Sequence, residues 1–173
     1  MAQSTSELTT YTDMNNGFTL QYPSDWTKDD SNTQNSSFVL SSPDSSAKVY
    51  GLILRPIPAS MQEIIGDMTL DELVKSLVLP ASFNLPPAEL STLGINIVEL
   101  NSDGYFLSGH PAGRIVMTLP DSSGSSTATI MGLATIANDG VYLIVYKSDA
   151  TMYSQNLDNA QAIIDSFKII SRQ

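Results

Sequence analysis

The sequence contains no cysteine, which excludes disulfides, thiolate nucleophiles and thiolate metal sites and leaves the compartment open. Histidine occurs once, as His110. Structural and catalytic zinc sites gather several imidazole or thiolate ligands, and His110 has no second histidine at any spacing. Positive charge is scarce. Eight Lys and Arg stand against eighteen Asp and Glu, giving a net charge of −10 over 173 residues. The eight cations, Lys28, Lys48, Arg55, Lys75, Arg114, Lys147, Lys168 and Arg172, are scattered. Phosphate backbones and anionic lipid are held by clustered positive charge, so neither nucleic acid nor a polybasic membrane contact is expected. No apolar run approaches the roughly 20 residues of a membrane-spanning helix, and Met1-Ala2-Gln3 is not a signal peptide. The phosphate-cradling patterns G-x-G-x-x-G and G-x-x-x-x-G-K-[ST] are missing, as is the nucleophile elbow G-x-S-x-G.

What is there is an ordinary globular composition, 42% hydrophobic, in a chain long enough for one domain that buries roughly 70% of its unfolded surface. Residues 1–9 read as a frayed N-terminal segment and 10–173 as a single domain. Ser4-Thr5-Ser6 and the Ser/Thr/Asn-rich loops resemble the start of a mature exported domain. The expected location is extracellular, or anchored on the outer face of a membrane by a signal or anchor outside this sequence. An acidic, Ser-rich cytosolic protein would read the same way. The sequon Asn35-Ser36-Ser37 matters only if the chain is exported.

The strongest fold signal runs from Thr127 to Ile170. A Thr/Ile-rich apolar run to Ala137 reads as a buried strand, and Asn138-Asp139-Gly140 as a tight turn with the positive φ that Gly accepts. Val141 to Tyr146 is uninterruptedly apolar, as a strand covered on both faces should be. Leu157, Ala160, Ile164 and Phe167, with Ile163 beside them, mark one stripe of a helix that must lie on the sheet; a short strand follows it. Upstream, strands are expected at Thr10–Met14, Phe18–Tyr22, Ser37–Ser42 and Lys48–Ile57, then at Asn96–Asn101, Tyr105–Ser108 and Gly113–Leu119. Asn15-Asn16-Gly17 and Asp103-Gly104 supply turns, and Gly109–Gly113 reads as a break. Trp26 anchors the turn after Pro23. Residues 60–66 suggest a short helical turn. Thr69 caps a helix with Asp71-Glu72 in its first turn and Leu70, Leu73, Val74 and Leu77 on its apolar face, ending at Pro80. Phe18, Tyr22, Trp26, Leu73, Ile130, Leu143, Val145, Ile164 and Phe167 are expected in one core. The balance is an antiparallel sheet with a few helices, an α+β domain.

Chemistry is harder to find. A catalytic triad needs a nucleophile, a base and an orienter. Ser108 and Asp103 are near His110 in sequence alone, and Pro111 holds His110 extended. Asp29-Asp30 and Asn101-Ser102-Asp103-Gly104 could touch Ca²⁺, but neither has the oxygen alternation of a calcium loop, and turn chemistry accounts for both. No catalytic, cofactor-binding or metal residues are assigned, and no cofactor is expected.

Phe18-Thr-Leu-Gln-Tyr-Pro-Ser-Asp-Trp26 resembles the N-terminal signature of PsbP-like domains. Leu107-Ser-Gly-His-Pro-Ala112 followed by Val116-Met117-Thr118 is similar to the middle of PsbP-related proteins of the archaeal and bacterial exported type. Tyr142–Tyr146, Tyr153-Ser154 and Ile164-Asp-Ser-Phe-Lys-Ile169 are similar to the family's C-terminal strand and helix. The resemblance implies the PsbP/Mog1-type fold, an α/β/α sandwich with an antiparallel sheet of about six strands flanked by helices on both faces. It also implies a non-enzymatic role. Photosynthetic members associate with photosystem II, and the nuclear-transport relative binds a small GTPase. This sequence lacks the basic N-terminal arm of the photosynthetic members. The expected function is therefore a monomeric, exported binding or assembly module with a protein partner. The alternatives are a carrier of a small apolar ligand in a cavity between sheet and helices, and a hydrolase with a non-standard site.

Overall fold

Residues 7–29, 38–54, 56–83, 95–120, 126–137 and 140–170 are described by the computed structural model. The strands are β1 (Leu8–Asp13), β2 (Phe18–Pro23), β3 (Thr27–Asp29), β4 (Phe38–Ser41), β5 (Ala47–Leu54), β6 (Asn96–Asn101), β7 (Phe106–Leu107), β8 (His110–Pro111), β9 (Gly113–Pro120), β10 (Ser126–Ala137), β11 (Gly140–Asp149) and β12 (Lys168–Ile169). The helices are α1 (Ala59–Gly66), α2 (Leu70–Phe83) and α3 (Tyr153–Ser166). Seven strands form the main sheet in the order β3-β4-β5-β11-β10-β9-β6, every neighbouring pair antiparallel. A second sheet, β1-β2-β12, joins the two ends of the chain, and β7-β8 is a separate two-stranded hairpin. The expected sheet of about six strands is thus one of seven with two smaller ones beside it.

The apolar runs of β10 and β11 pair along their length, from Ala128 opposite Asp149 to Ala137 opposite Gly140. Asn138 and Asp139 of the turn reading lie outside the described residues, as do Asn35 of the sequon and Asp30. Val141 to Tyr146 is buried throughout, as a central strand with helices on both faces must be. Successive side chains of a strand point to opposite faces, so this run serves two cores. Leu143 and Val145 pack with Ile130, Ile115, Met117 and the Leu73, Val74 and Val78 side chains of α2. Tyr142, Ile144 and Tyr146 pack on the other face with Phe18, Trp26, Phe38, Ile163, Ile164 and Phe167. The single core expected from the sequence is therefore divided by the sheet: Leu73, Ile130, Leu143 and Val145 lie on one side, Phe18, Trp26, Ile164 and Phe167 on the other, with Tyr22 partly buried against the latter group.

Local chemistry explains most element ends. Thr69 and Glu72 form a reciprocal cap. The Glu72 N–H donates to Thr69 Oγ1 at 3.2 Å and the Thr69 N–H to Glu72 Oε2 at 2.9 Å, so two donors that the first turn would leave unpaired are satisfied. The helix does not stop at Pro80 but runs to Phe83. Proline removes its own N–H and crowds the carbonyl four residues back, yet later residues keep their donors, and buried Val74 and Val78 seat the upstream turns on β9 and β10. β1 begins at Leu8 rather than Thr10, because Leu8 pairs with Pro23 of β2. β5 ends at Leu54, short of the expected Ile57.

The turn between β4 and β5 is organised by one carboxylate. Asp44 Oδ1 accepts from the Ser42 and Ser46 hydroxyls, both at 2.7 Å, and from the Ser46 N–H at 3.1 Å. Ser46 Oγ also accepts from Asn156 Nδ2 of α3 at 3.2 Å. The Ser46 and Ser42 hydrogen bonds hold the Asp44 carboxyl down from 3.8 to about 2. A carboxyl depressed by folding contributes stability above its unfolded value and loses it as the pH falls through its folded value. The urea midpoint of the native chain is expected to fall between pH 3.8 and about 2, and Asp44→Asn to flatten that part of the profile. Equal slopes for the two proteins would show that the turn carboxylate is not linked to folding.

Candidate functional site

Two edges bound the main sheet. β3 is three residues long and presents Lys28 and Asp29. β6 is six residues long, reads Asn-Ile-Val-Glu-Leu-Asn, and is largely exposed. Four of the eight exposed large apolar side chains among the described residues are Ile97, Val98 and Leu100 of β6 and Phe106 of β7. Val98 and Phe106 are 61% and 60% exposed, a degree of exposure that packing against this domain does not explain. Ile97 and Leu100 stand opposite Met117 and Ile115 of β9, on the α2 face. The register shifts between Ile97 and Glu99, so Val98 is the extra residue of a bulge.

The bulge places Glu99 opposite Val116, on the α3 face. There Glu99 meets Arg114, whose Nη1 lies 3.3 Å from Glu99 Oε1. The Tyr105 hydroxyl donates to Glu99 Oε1 at 2.6 Å and accepts from Arg114 Nη1 at 2.9 Å. The guanidinium lies over the Tyr105 ring, 4.9 Å from its centroid, and its Nη2 reaches Met131 Sδ at 3.4 Å. Met131 is fully buried, so this cluster lies against the α3-face core beside the start of α3. Tyr153, at the start of α3, has its hydroxyl pKa raised, chiefly by burial, with Arg114 opposing and Glu99 reinforcing the shift.

Next to the cluster, the segment expected to be a break is a two-residue hairpin. Ser108 and Gly109 take φ of 54° and 78° between β7 and β8. Left-handed φ at both central positions is what a tight hairpin turn requires, and serine is an uncommon residue there. Ser108 Oγ accepts from the Ile169 N–H at 2.9 Å, and Thr135 Oγ1 donates to the Pro111 carbonyl at 2.6 Å. The hairpin is thus pinned to β12 on one side and to β10 on the other. A depression of about 340 Å³ lies between it and the end of α3, lined by Phe106, Ser108, Ile164, Asp165, Phe167 and Lys168 among others.

His110 sits in β8 opposite Leu107, half-buried, and among the described residues no hydrogen bond joins it to a hydroxyl or carboxylate. Asn101 Oδ1 accepts from the Asp103 N–H at 2.9 Å, which closes a turn. No group of three or more His, Asp or Glu side chains that could hold a metal ion occurs among the described residues. Trp26 is buried in the α3-face core. The β6 edge and the hairpin therefore offer exposed apolar side chains and the Glu99–Arg114 ion pair. Sequence reading placed the β6 strand but did not bring Glu99, Tyr105 and Arg114 together. A bulge moves side chains between faces, and nothing in the local composition announced it.

No family model matches the chain, and no curated protein does. Solved structures do. The solution structure of cyanobacterial PsbP (CyanoP) from Synechocystis aligns with TM-score 0.64 and 12% identity over 98% of this chain and 97% of that one. The Ran-binding protein Mog1p of Saccharomyces cerevisiae aligns at 0.58 and 9% over 96% and 97%. LpqN, involved in cell envelope biogenesis of Mycobacterium tuberculosis, aligns at 0.53 and 12% over 97% and 87%. These likenesses establish the fold. Among the described residues no helix is long and apolar enough to cross a membrane.

Proposed function

We propose that this chain, which has the PsbP/Mog1-type fold, is a non-catalytic module that docks a protein partner through the β6 edge and the β7-β8 hairpin. The observation that carries the reading is the exposure of Ile97, Val98 and Leu100 along the β6 edge, with Phe106 exposed on the hairpin. Exposed apolar patches of this kind mark interaction surfaces. The Ran-binding character of Mog1p supports a protein partner, and the envelope role of LpqN supports work at or outside a membrane. A carrier requires room between sheet and helix. On the α3 side that space is filled by the Phe18, Phe38 and Phe167 rings, with Phe18 5.3 Å from Phe38 and 5.5 Å from Phe167. The depression beside the hairpin lies at the end of α3 instead.

The reading is tested by placing a photo-crosslinking residue at Val98 or at Phe106 and irradiating the native host. Leu8 and Met14, exposed on the β1 side, serve as controls. The same adduct is expected from Val98 and Phe106 and not from the controls. Adducts from Leu8 and Met14 alone, or from none of the four, would overturn it.

A further inference from the structure

We infer that β6 receives its partner by strand addition, and that the added strand is an extended segment combining branched apolar residues with Lys or Arg. The inference rests on the docking reading of the same edge and names how the contact is made. An open strand edge presents unpaired N–H and C=O groups to any chain that can lie alongside it. Folded proteins guard such edges by shortness, by charge, by bulges or by a covering element. β3 is guarded by its three residues and by Lys28 and Asp29. β6 is twice as long, spanning about 20 Å, and among the described residues no strand lies on its outer side. Its only charged residue, Glu99, is turned onto Arg114 and Tyr105 rather than out along the edge. The bulge at Val98 divides the pairing with β9 into Asn96–Ile97 and Glu99–Asn101, so the longer regular stretch open to an added strand is the C-terminal one. Leu100 and Ile97 then stand beside the added strand on the α2 face and call for branched apolar residues at alternate positions.

Charge selects among possible strands. The turn after β6 carries exposed Asp103. The first turn of α2, with Asp71 and Glu72, lies over the start of β9, where the Leu70 carbonyl group approaches Gly113. Arg114, which pairs across from Asn101 at the end of β6, is already engaged by Glu99. A second copy of this chain would bring another net charge of −10, whereas a cationic strand meets carboxylates at the Asn101 end of β6. Electrostatic complementarity of this kind excludes wrong partners and speeds encounter.

The test uses three synthetic octapeptides: alternating Lys-Val, alternating Glu-Val, and Lys-Val with alternate backbone nitrogens methylated. Amide hydrogen exchange of β6 is followed by NMR during titration of each. The Lys-Val peptide is expected to slow exchange of the β6 amides by about tenfold or more, less so as salt rises. Leu100→Lys, at an exposed position, is expected to weaken that peptide by about tenfold, through charge repulsion and the loss of an apolar contact. The methylated peptide keeps the side chains and lacks the donors, so it is expected to have no effect. Equal protection by the methylated or the Glu-Val peptide would overturn the inference, as would no protection by Lys-Val. Protection that grows with protein concentration and no peptide would overturn it in favour of self-pairing. Crosslinks at Val98 without β6 protection by Lys-Val would leave the docking reading standing and sink strand addition alone.

Discussion

Phe167→Ala is expected to lower the unfolding free energy by about 3–5 kcal/mol, the range for truncating a buried phenylalanine. Phe167 is 1% exposed and follows directly on α3, where the backbone turns extended to enter β12. Its ring stacks on Phe18 of β2 at 5.5 Å and meets Tyr142 of β11 edge-on at 6.2 Å. One side chain therefore touches the small sheet and the main sheet at the point where the helix ends. Removing it opens a void that no single element can close, because each neighbour is held by a different layer. Since a domain of this kind is stable by about 5–15 kcal/mol, the loss should appear as a large drop in the urea midpoint. A change under about 1 kcal/mol, near the low end for single substitutions, would mean that the small sheet does not depend on this ring.

Gly113→Ala is expected to match or exceed the usual cost of overpacking, about 1–3 kcal/mol, although it adds one methyl group. A Cβ at Gly113 would run into the Leu70 carbonyl oxygen, would stand 2.7 Å from that carbonyl carbon and would lie 3.1 Å from Val74 Cγ1. The obstacle is helix backbone, so relief requires moving α2 as a body. α2 is also seated at Gly132, where a Cβ would meet Val78 Cγ2. There the obstacle is a side chain, and Gly132→Ala should cost less than Gly113→Ala. Thermal unfolding of the two variants decides the order. A Gly113→Ala protein within about 0.5 kcal/mol of the parent, the scatter of neutral surface changes, would show that α2 floats on the sheet.

The α+β architecture was legible because its central elements carry strong patterns. Val141–Tyr146 is apolar on both faces and is buried on both, and of the stripe Leu157, Ala160, Ile164 and Phe167, with Ile163 beside it, all but the partly buried Leu157 are buried. The division into two cores was present in the same run as strand alternation, but an unbroken apolar run conceals which residue faces which side. The hairpin was hidden for another reason. Its strands are two residues each, too short for any periodicity, and a serine rather than Asn or Gly stands at the first left-handed position. The candidate site was least legible of all. That β6 is an edge follows from the order of strands in space, and that Glu99 meets Arg114 follows from a register shift; neither is a property of a local stretch of sequence.

The pairing of β12 with β2, with the Ile170 N–H donating to the Gly17 carbonyl at 2.9 Å, bears on how the chain is made. Domains emerge from the ribosome N-terminus first. The β1-β2 hairpin is complete after Pro23, but Phe18 and Leu20 are covered by α3 and the residues that follow it, made some 130–150 residues later. Until then a finished hairpin carries a bare apolar face. The small sheet can therefore close only after the residues through Ile170 have cleared the ribosome, late in the chain's synthesis.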